Sequence, residues 1–233
     1  IGAEALTLSG TGVGAAGALT GTGSASSSGT ITLAAATGIG IPLFGDSLAL
    51  AGTIGGAFAL TKVGAGTLTL SGSNIYTGLT TVSAGTLNLQ NSNATGTTAG
   101  GVTVANGAAL ELQGGITVAE TLIITGTGVL ANGALRNLSD TNTWSGAVTL
   151  TGNSKIQSDA GTLTLSAANS ITGTNRTLTF DGTGDGLIGG IIATGTGTLT
   201  KTGAGTLTLQ GTNTYTGATA VNAGVLNIQN AQA

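Results

Sequence analysis

The chain has no cysteine, no methionine and no histidine, and it has one proline, Pro42, and one tryptophan, Trp144. Only 6% of its 233 residues are charged and 3% are aromatic, where an ordinary soluble domain carries about 25% charged residues. Each shortage removes a class of chemistry. Without cysteine there are no disulfides, thiolate metal sites or thiol nucleophiles, a composition that also suits export. Without histidine, general acid–base catalysis has few candidates. The five cations, Lys62, Arg136, Lys155, Arg176 and Lys201, are far apart, so no basic run could displace counterions from nucleic-acid phosphates. No apolar stretch is long enough to cross a bilayer as a helix, and no membrane-spanning helix is expected. No signal peptide is visible, and the chain starts at Ile1 in mid-pattern, as a mature product or an excised piece would.

Glycine is abundant, with 44 residues, and the mean hydropathy of +0.41 is too high for a disordered tail. Self-comparison organises the chain. Residues 60–91 (LTKVGAGTLTLSGSNIYTGLTTVSAGTLNLQN) align without a gap to 199–230 (LTKTGAGTLTLQGTNTYTGATAVNAGVLNIQN), at an offset of 139. Residues 29–36 (GTITLAAA) resemble 161–168 (GTLTLSAA) at a slightly different offset. This divides the chain into 1–91, the tail of a first large repeat, and 92–233, a second repeat continuous with it. Inside each copy a GTLTL-like piece recurs at one and the same spacing, from Gly66 to Gly85 and from Gly205 to Gly224.

The pattern TLTL has period 2, so Leu68 and Leu70 share one face of a strand and Thr67 and Thr69 the other. Such short strands bury their leucines only when repeats stack on one another. Identical strands running in one direction favour parallel stacking, with asparagine ladders expected at Asn88 and Asn227. The expected fold is all-β: a right-handed parallel β-helix (β-solenoid) of roughly eleven short rungs, on the order of 50 Å long at about 4.8 Å per rung.

The block shared by 60–88 and 199–227 resembles the passenger-associated repeat of bacterial autotransporters, and Thr143–Leu150 is similar to the segment that often precedes it. The resemblance implies an exported, extracellular or cell-surface β-helical passenger, a rigid stalk or adhesive surface, whose translocator barrel is not in this chain.

Several local motifs invite sharper readings. Gly12, Gly14 and Gly17 spell GxGxxG, but no helix or acidic partner is expected to follow, so no dinucleotide cofactor is inferred. Asp181–Gly190 resembles a calcium-binding nonapeptide, but it occurs once and is misspaced, and a polar corner is the better reading. The eight carboxylates are scattered; Asp181 with Asp185, and Glu111 with Glu120, are the pairs that could lie close. No catalytic, metal or cofactor residues are assigned, and a β-helical polysaccharide-degrading enzyme is the less favoured alternative. Lys62 and Lys201 are read as surface charges that discourage sheet aggregation, with contact to an anionic glycan as the functional alternative. Tyr76, Trp144 and Tyr215 are expected to pack their rings at corners with the polar tip wet, with sugar stacking as the alternative. Those five residues are the candidate glycan contacts. Neither end shows a cap, so the partners expected are further repeats of a longer chain or other copies of this one, stacked head to tail into a filament.

Overall fold

The computed structural model describes residues 2–231. Strands and turns make up nearly all of it, and every strand pairing is parallel. The chain winds through about ten turns and then a closing strand, Val225–Ile228, close to the expected eleven rungs.

Each turn crosses three sheets. Sheet 1 begins with Leu6–Gly10 and the first half of Ile31–Gly40. It continues at Ile54–Gly55 and, after a stretch without regular strand at Asn74–Tyr76, through Thr117–Val118, Thr141–Trp144, Thr162–Leu165, Asp185–Ile188, Thr206–Leu209 and Val225–Ile228. Sheet 2 runs from Leu19–Thr20 through the second half of Ile31–Gly40, Leu60–Val63, Thr80–Val82, Val102–Val104 and Leu122–Gly126. It passes into the first half of Val148–Ser158, then Ile171–Thr172 and Ile192–Ala193. Sheet 3 runs from Ser24–Ser27 to Thr219–Val221 through the second half of Val148–Ser158. Turns differ in length, as the uneven spacing of the inward column of sheet 3 shows: Leu48, Leu68, Leu87, Leu110, Leu135, Ile156, Phe180, Lys201, Val221.

The period-2 reading carries this packing. In Thr67–Leu70 and Thr206–Leu209 the leucines are buried and the threonines partly exposed. The buried leucines, isoleucines and valines of all three sheets form one core, where each side chain rests on its register partner in the turn below. Where a large side chain enters, a neighbour shrinks. The ring of Phe180 occupies the place of a side chain at Gly186, where an added Cβ would lie 2.1 Å from it.

The two asparagines do not form ladders. Asn88 lies between Thr69 and Glu111 in its column, and Asn227 pairs with Thr208. None of these neighbours repeats the amide, and a ladder needs the same side chain in successive turns.

Both internal recurrences are displaced around the axis. Leu60 and Lys62 lie on sheet 2, whereas their equivalents Leu199 and Lys201 lie on sheet 3. The chain between the two copies therefore makes a whole number of turns and one further side. A second recurrence, at an offset of 116 to 117, joins residues 4–37 to 120–154. It includes the loops that follow Gly10 and Gly126, both reading GTGV. Each contains a one-turn 3-10 helix, Val13–Ala15 and Val129–Ala131. The amides of Gly17 and Gly133 donate to Thr11 O and Thr127 O, at 2.8 Å in both loops. Each loop leads to a long strand that bends across a corner, Ile31–Gly40 and Val148–Ser158. The first of these starts on sheet 1 and the second on sheet 2. Between these landmarks and the 60–91 block the second copy is longer by about one turn. The GTITL of 29–33 is thus the structural counterpart of residues 146–150, and not of 161–165.

Candidate functional site

Lys62 and Lys201 lie inside the solenoid. In the inward columns Lys62 sits between Ile39 and Val82, and Lys201 between Phe180 and Val221. They are 1% and 0% exposed. The alternation that points Leu60 inward also points Lys62 inward. The Lys62 ammonium turns along the core to the corner and donates to the carbonyls of Val63 (3.1 Å), Gly64 (2.7 Å) and Ala84 (3.0 Å). Lys201 donates to Gly203 O. Burial lowers the Lys62 ammonium to about 8, and Lys201 moves in the same direction for the same reason. The surface placement expected for both lysines is corrected: their ammonium groups lie inside and donate to corner carbonyls, of which Val63 O also accepts the Ile41 amide.

The aromatic candidates are also internal. Tyr76 and Trp144 are fully buried, so the wet polar tip expected of each is corrected too. Trp144 stacks between Val118 and Leu165 in sheet 1. The Tyr76 hydroxyl pairs with Thr80 Oγ1 at 2.6 Å, and burial pushes its phenol up. Tyr215 repeats that bond with Thr219, also at 2.6 Å, but is only half-buried. Over Tyr76 lies the turn containing Gly96 and Thr97. Among the described residues no turn covers Tyr215.

The sequence motifs resolve into corners. Gly12, Gly14 and Gly17 shape the first 3-10 loop, and a Cβ at Gly12, where φ is +74°, would lie 2.0 Å from Gly17 O. In the would-be calcium motif, Asp181 forms an ion pair with Lys155 and accepts the Gly182 amide, while Asp185 accepts the amide of Thr206. Burial pushes the Asp181 carboxyl up, but those donors hold it below the usual carboxylate range. Both carboxylates are thus engaged by protein donors.

The surface charge concentrates on sheet 3. The outward column runs Thr69, Asn88, Glu111, Arg136, Gln157, Asp181. The Arg136 guanidinium bonds Glu111 at 2.9 Å and Asp159 at 2.8 Å. Burial works against that charge, and the two carboxylates outweigh it and raise its pKa. Glu111 and Glu120, paired in the sequence reading, have separate partners. Glu120 is buried and accepts the Gly101 amide at 3.0 Å; burial raises its carboxyl.

Beside this cluster lies a cleft of about 190 Å³ lined by Phe44, Thr67, Thr86, Glu111, Leu130 and Arg136 among others. Sequence reasoning missed it because its residues come from different turns, and only Thr67 and Thr86 share a motif. Phe44 is 68% exposed and Leu130 74% exposed. Leu130 also has φ +50°, a left-handed conformation that costs a side-chain-bearing residue about 1–3 kcal/mol. The sister loop has Gly14 at the same place, at φ +61°.

The passenger-associated-transport-repeat family matches residues 60–89, 156–176 and 199–228, together about a third of the chain. The first match begins on sheet 2, and the other two on sheet 3. The middle match coincides with the extra turn of the second copy. No curated protein and no solved structure matches the chain.

Proposed function

We propose that this chain, which carries three autotransporter passenger repeats within one parallel solenoid, acts as a rigid, non-enzymatic rod on the outside of the cell. An exported, surface-associated domain is what such repeats imply. The observation that carries the rod reading is the inward column of sheet 3, which continues from Leu48 to Val221 without a gap. A shared core of this kind resists bending because every turn packs on both neighbours. At about 4.8 Å per turn the rod is on the order of 50 Å long.

The carboxylate arrangement supports a structural role. A glycosidase needs two carboxyls facing one substrate, whereas Glu111 and Asp159 share the Arg136 guanidinium between them.

The last described turn can be covered by further turns of a longer chain or by a second copy. Leu87 and Leu89 are fully buried under the following turn, but of their equivalents Leu226 is half-buried and Ile228 more than half exposed. A second copy stacked there would pair the open strand edges and cover Tyr215, Val221, Val225 and Ile228 in one step. Negative-stain electron microscopy over a concentration series tests both parts. Thin unbranched fibres that lengthen with concentration are expected. Rods of constant length would remove the stacking, and compact globules would remove the rod.

A further inference from the structure

The cleft on sheet 3 takes part of its floor from the first passenger repeat and its walls from loops outside the family matches. Its floor is Thr67, Thr86 and Ala109, register partners in three successive turns. Its two walls are loops that carry exposed apolar side chains, Phe44 at one end and Leu130 beside the half-buried Val129 at the other. Asn132, Glu111 and Arg136 complete the lining. We propose that this cleft binds a neutral glycan, laid along the solenoid axis so that successive sugar rings meet successive turns.

The chemistry of the lining selects that ligand class. A sugar presents many hydroxyls and a weakly apolar ring face. It needs donors and acceptors together with a flat apolar contact. The cleft offers threonine hydroxyls, an amide, a carboxylate and a guanidinium, with Phe44 and Leu130 as apolar contacts. The turn spacing of about 4.8 Å is close to the length of one hexose unit.

The charge balance selects a neutral glycan over an anionic one. Arg136 is committed to Glu111 and Asp159, which leaves that group with one net negative charge. Lys155 is committed to Asp181. No spare cation lines the cleft. An added peptide strand is disfavoured for a different reason: binding by strand addition needs an open edge. The strand Thr67–Leu70 is paired on both sides, to Ser47–Leu50 and Thr86–Leu89.

The wall at Leu130 adds an independent observation. Its loop is built like the one at Val13–Ala15, down to the matching hydrogen bonds. Glycine at position 14 relieves the left-handed backbone in the first loop. The second keeps a leucine there, exposed, facing the exposed Phe44 across the cleft. The guanidinium below it is held in place from two sides, so little ordering remains to be done on binding.

The test is saturation-transfer NMR of the full chain with four neutral hexasaccharides: cellohexaose, chitohexaose, maltohexaose and xylohexaose. Saturable binding of at least one is expected. Phe44→Ala and Leu130→Gly are each expected to weaken it about tenfold, as loss of a hot-spot side chain does. Val13→Ala, in the sister loop away from the cleft, is expected to leave it unchanged. All three positions are exposed, and far-UV circular dichroism will confirm that the variants fold. The proposal is overturned if no hexasaccharide binds at millimolar concentration, if binding survives both cleft substitutions, or if only the anionic probe heparin binds. Stacking of rods has no bearing on these readouts, because the cleft lies on a side face.

Discussion

The repeats at 60–91 and 199–230 share most of their residues but differ in sheet and in exposure. Tyr76 and Tyr215 make the same hydroxyl bond, yet one is buried and the other half open. The strand at Thr86–Leu89 is wholly buried, whereas Val225–Ile228 is not. The repeat therefore encodes the shape of a turn: the inward lysine, the glycine corner and the tyrosine clasp. The turns stacked on it decide its burial, and the count of residues before it decides which sheet it joins.

Substitutions within and between the two copies can break or sharpen this comparison. The largest effect is expected where one register position separates inside from outside. Lys62→Glu would place an uncompensated carboxylate against corner carbonyls, at a cost of about 3–5 kcal/mol. Thr61→Glu, one residue away and facing outward, should cost about 0.5 kcal/mol or less. Urea denaturation of both variants checks this, and equal losses would contradict the inward lysine. Next, Tyr76→Ala should cost about 3–5 kcal/mol, in the range for a buried aromatic, and Tyr215→Ala markedly less. Hydrogen exchange, which resolves local stability along a solenoid, will separate the two turns. A smaller and opposite pair of effects is expected in the sister loops. Gly14→Leu should destabilise, and Leu130→Gly should stabilise, each by about 1 kcal/mol, readable as shifts in thermal midpoint.

A further effect is a pH slope. Burial lowers the Lys62 ammonium from its usual 10.5 to about 8. Between those values the unfolded chain holds a proton that the folded chain has released, so stability should rise with pH across that window. Lys201 adds to the slope, since burial lowers it as well. Stability measured from pH 7 to 11 should show the rise in the wild type. The Lys62→Met/Lys201→Met double variant should show a flatter profile.

Much of this fold is legible in the sequence. The period of TLTL predicts the burial of Leu68 and Leu70, and the recurrence of GTLTL predicts the parallel stacking. The inward turn of Lys62 is legible as well, since LTK continues the same alternation. The expectation of a surface lysine failed because a charged side chain ordinarily lies outside. The long aliphatic stem and the nearby corner carbonyls make the interior position tenable. The change of sheet cannot be read from the motif, because turns vary in length and only their sum sets the side reached. The second recurrence is hidden because GTGV is a weak signal among 44 glycines, and the extra turn shifts the offset from 116 to 139. The cleft is invisible for a related reason: stacking brings together Phe44, Thr67, Thr86 and Leu130, which lie far apart along the chain.

The displacement of the repeats from sheet to sheet is best tested by cysteine-pair cross-linking in a chain that has no cysteine of its own. Thr200 is the register partner of Thr179 on sheet 3, whereas Thr172 faces Ala193 on sheet 2. Neighbouring parallel strands bring Cα atoms to about 4.8 Å, within disulfide range. Under mild oxidation the Thr179→Cys/Thr200→Cys variant should close its disulfide, and Thr172→Cys/Thr200→Cys should not. The reverse result would place the second repeat on the same sheet as the first and contradict the account.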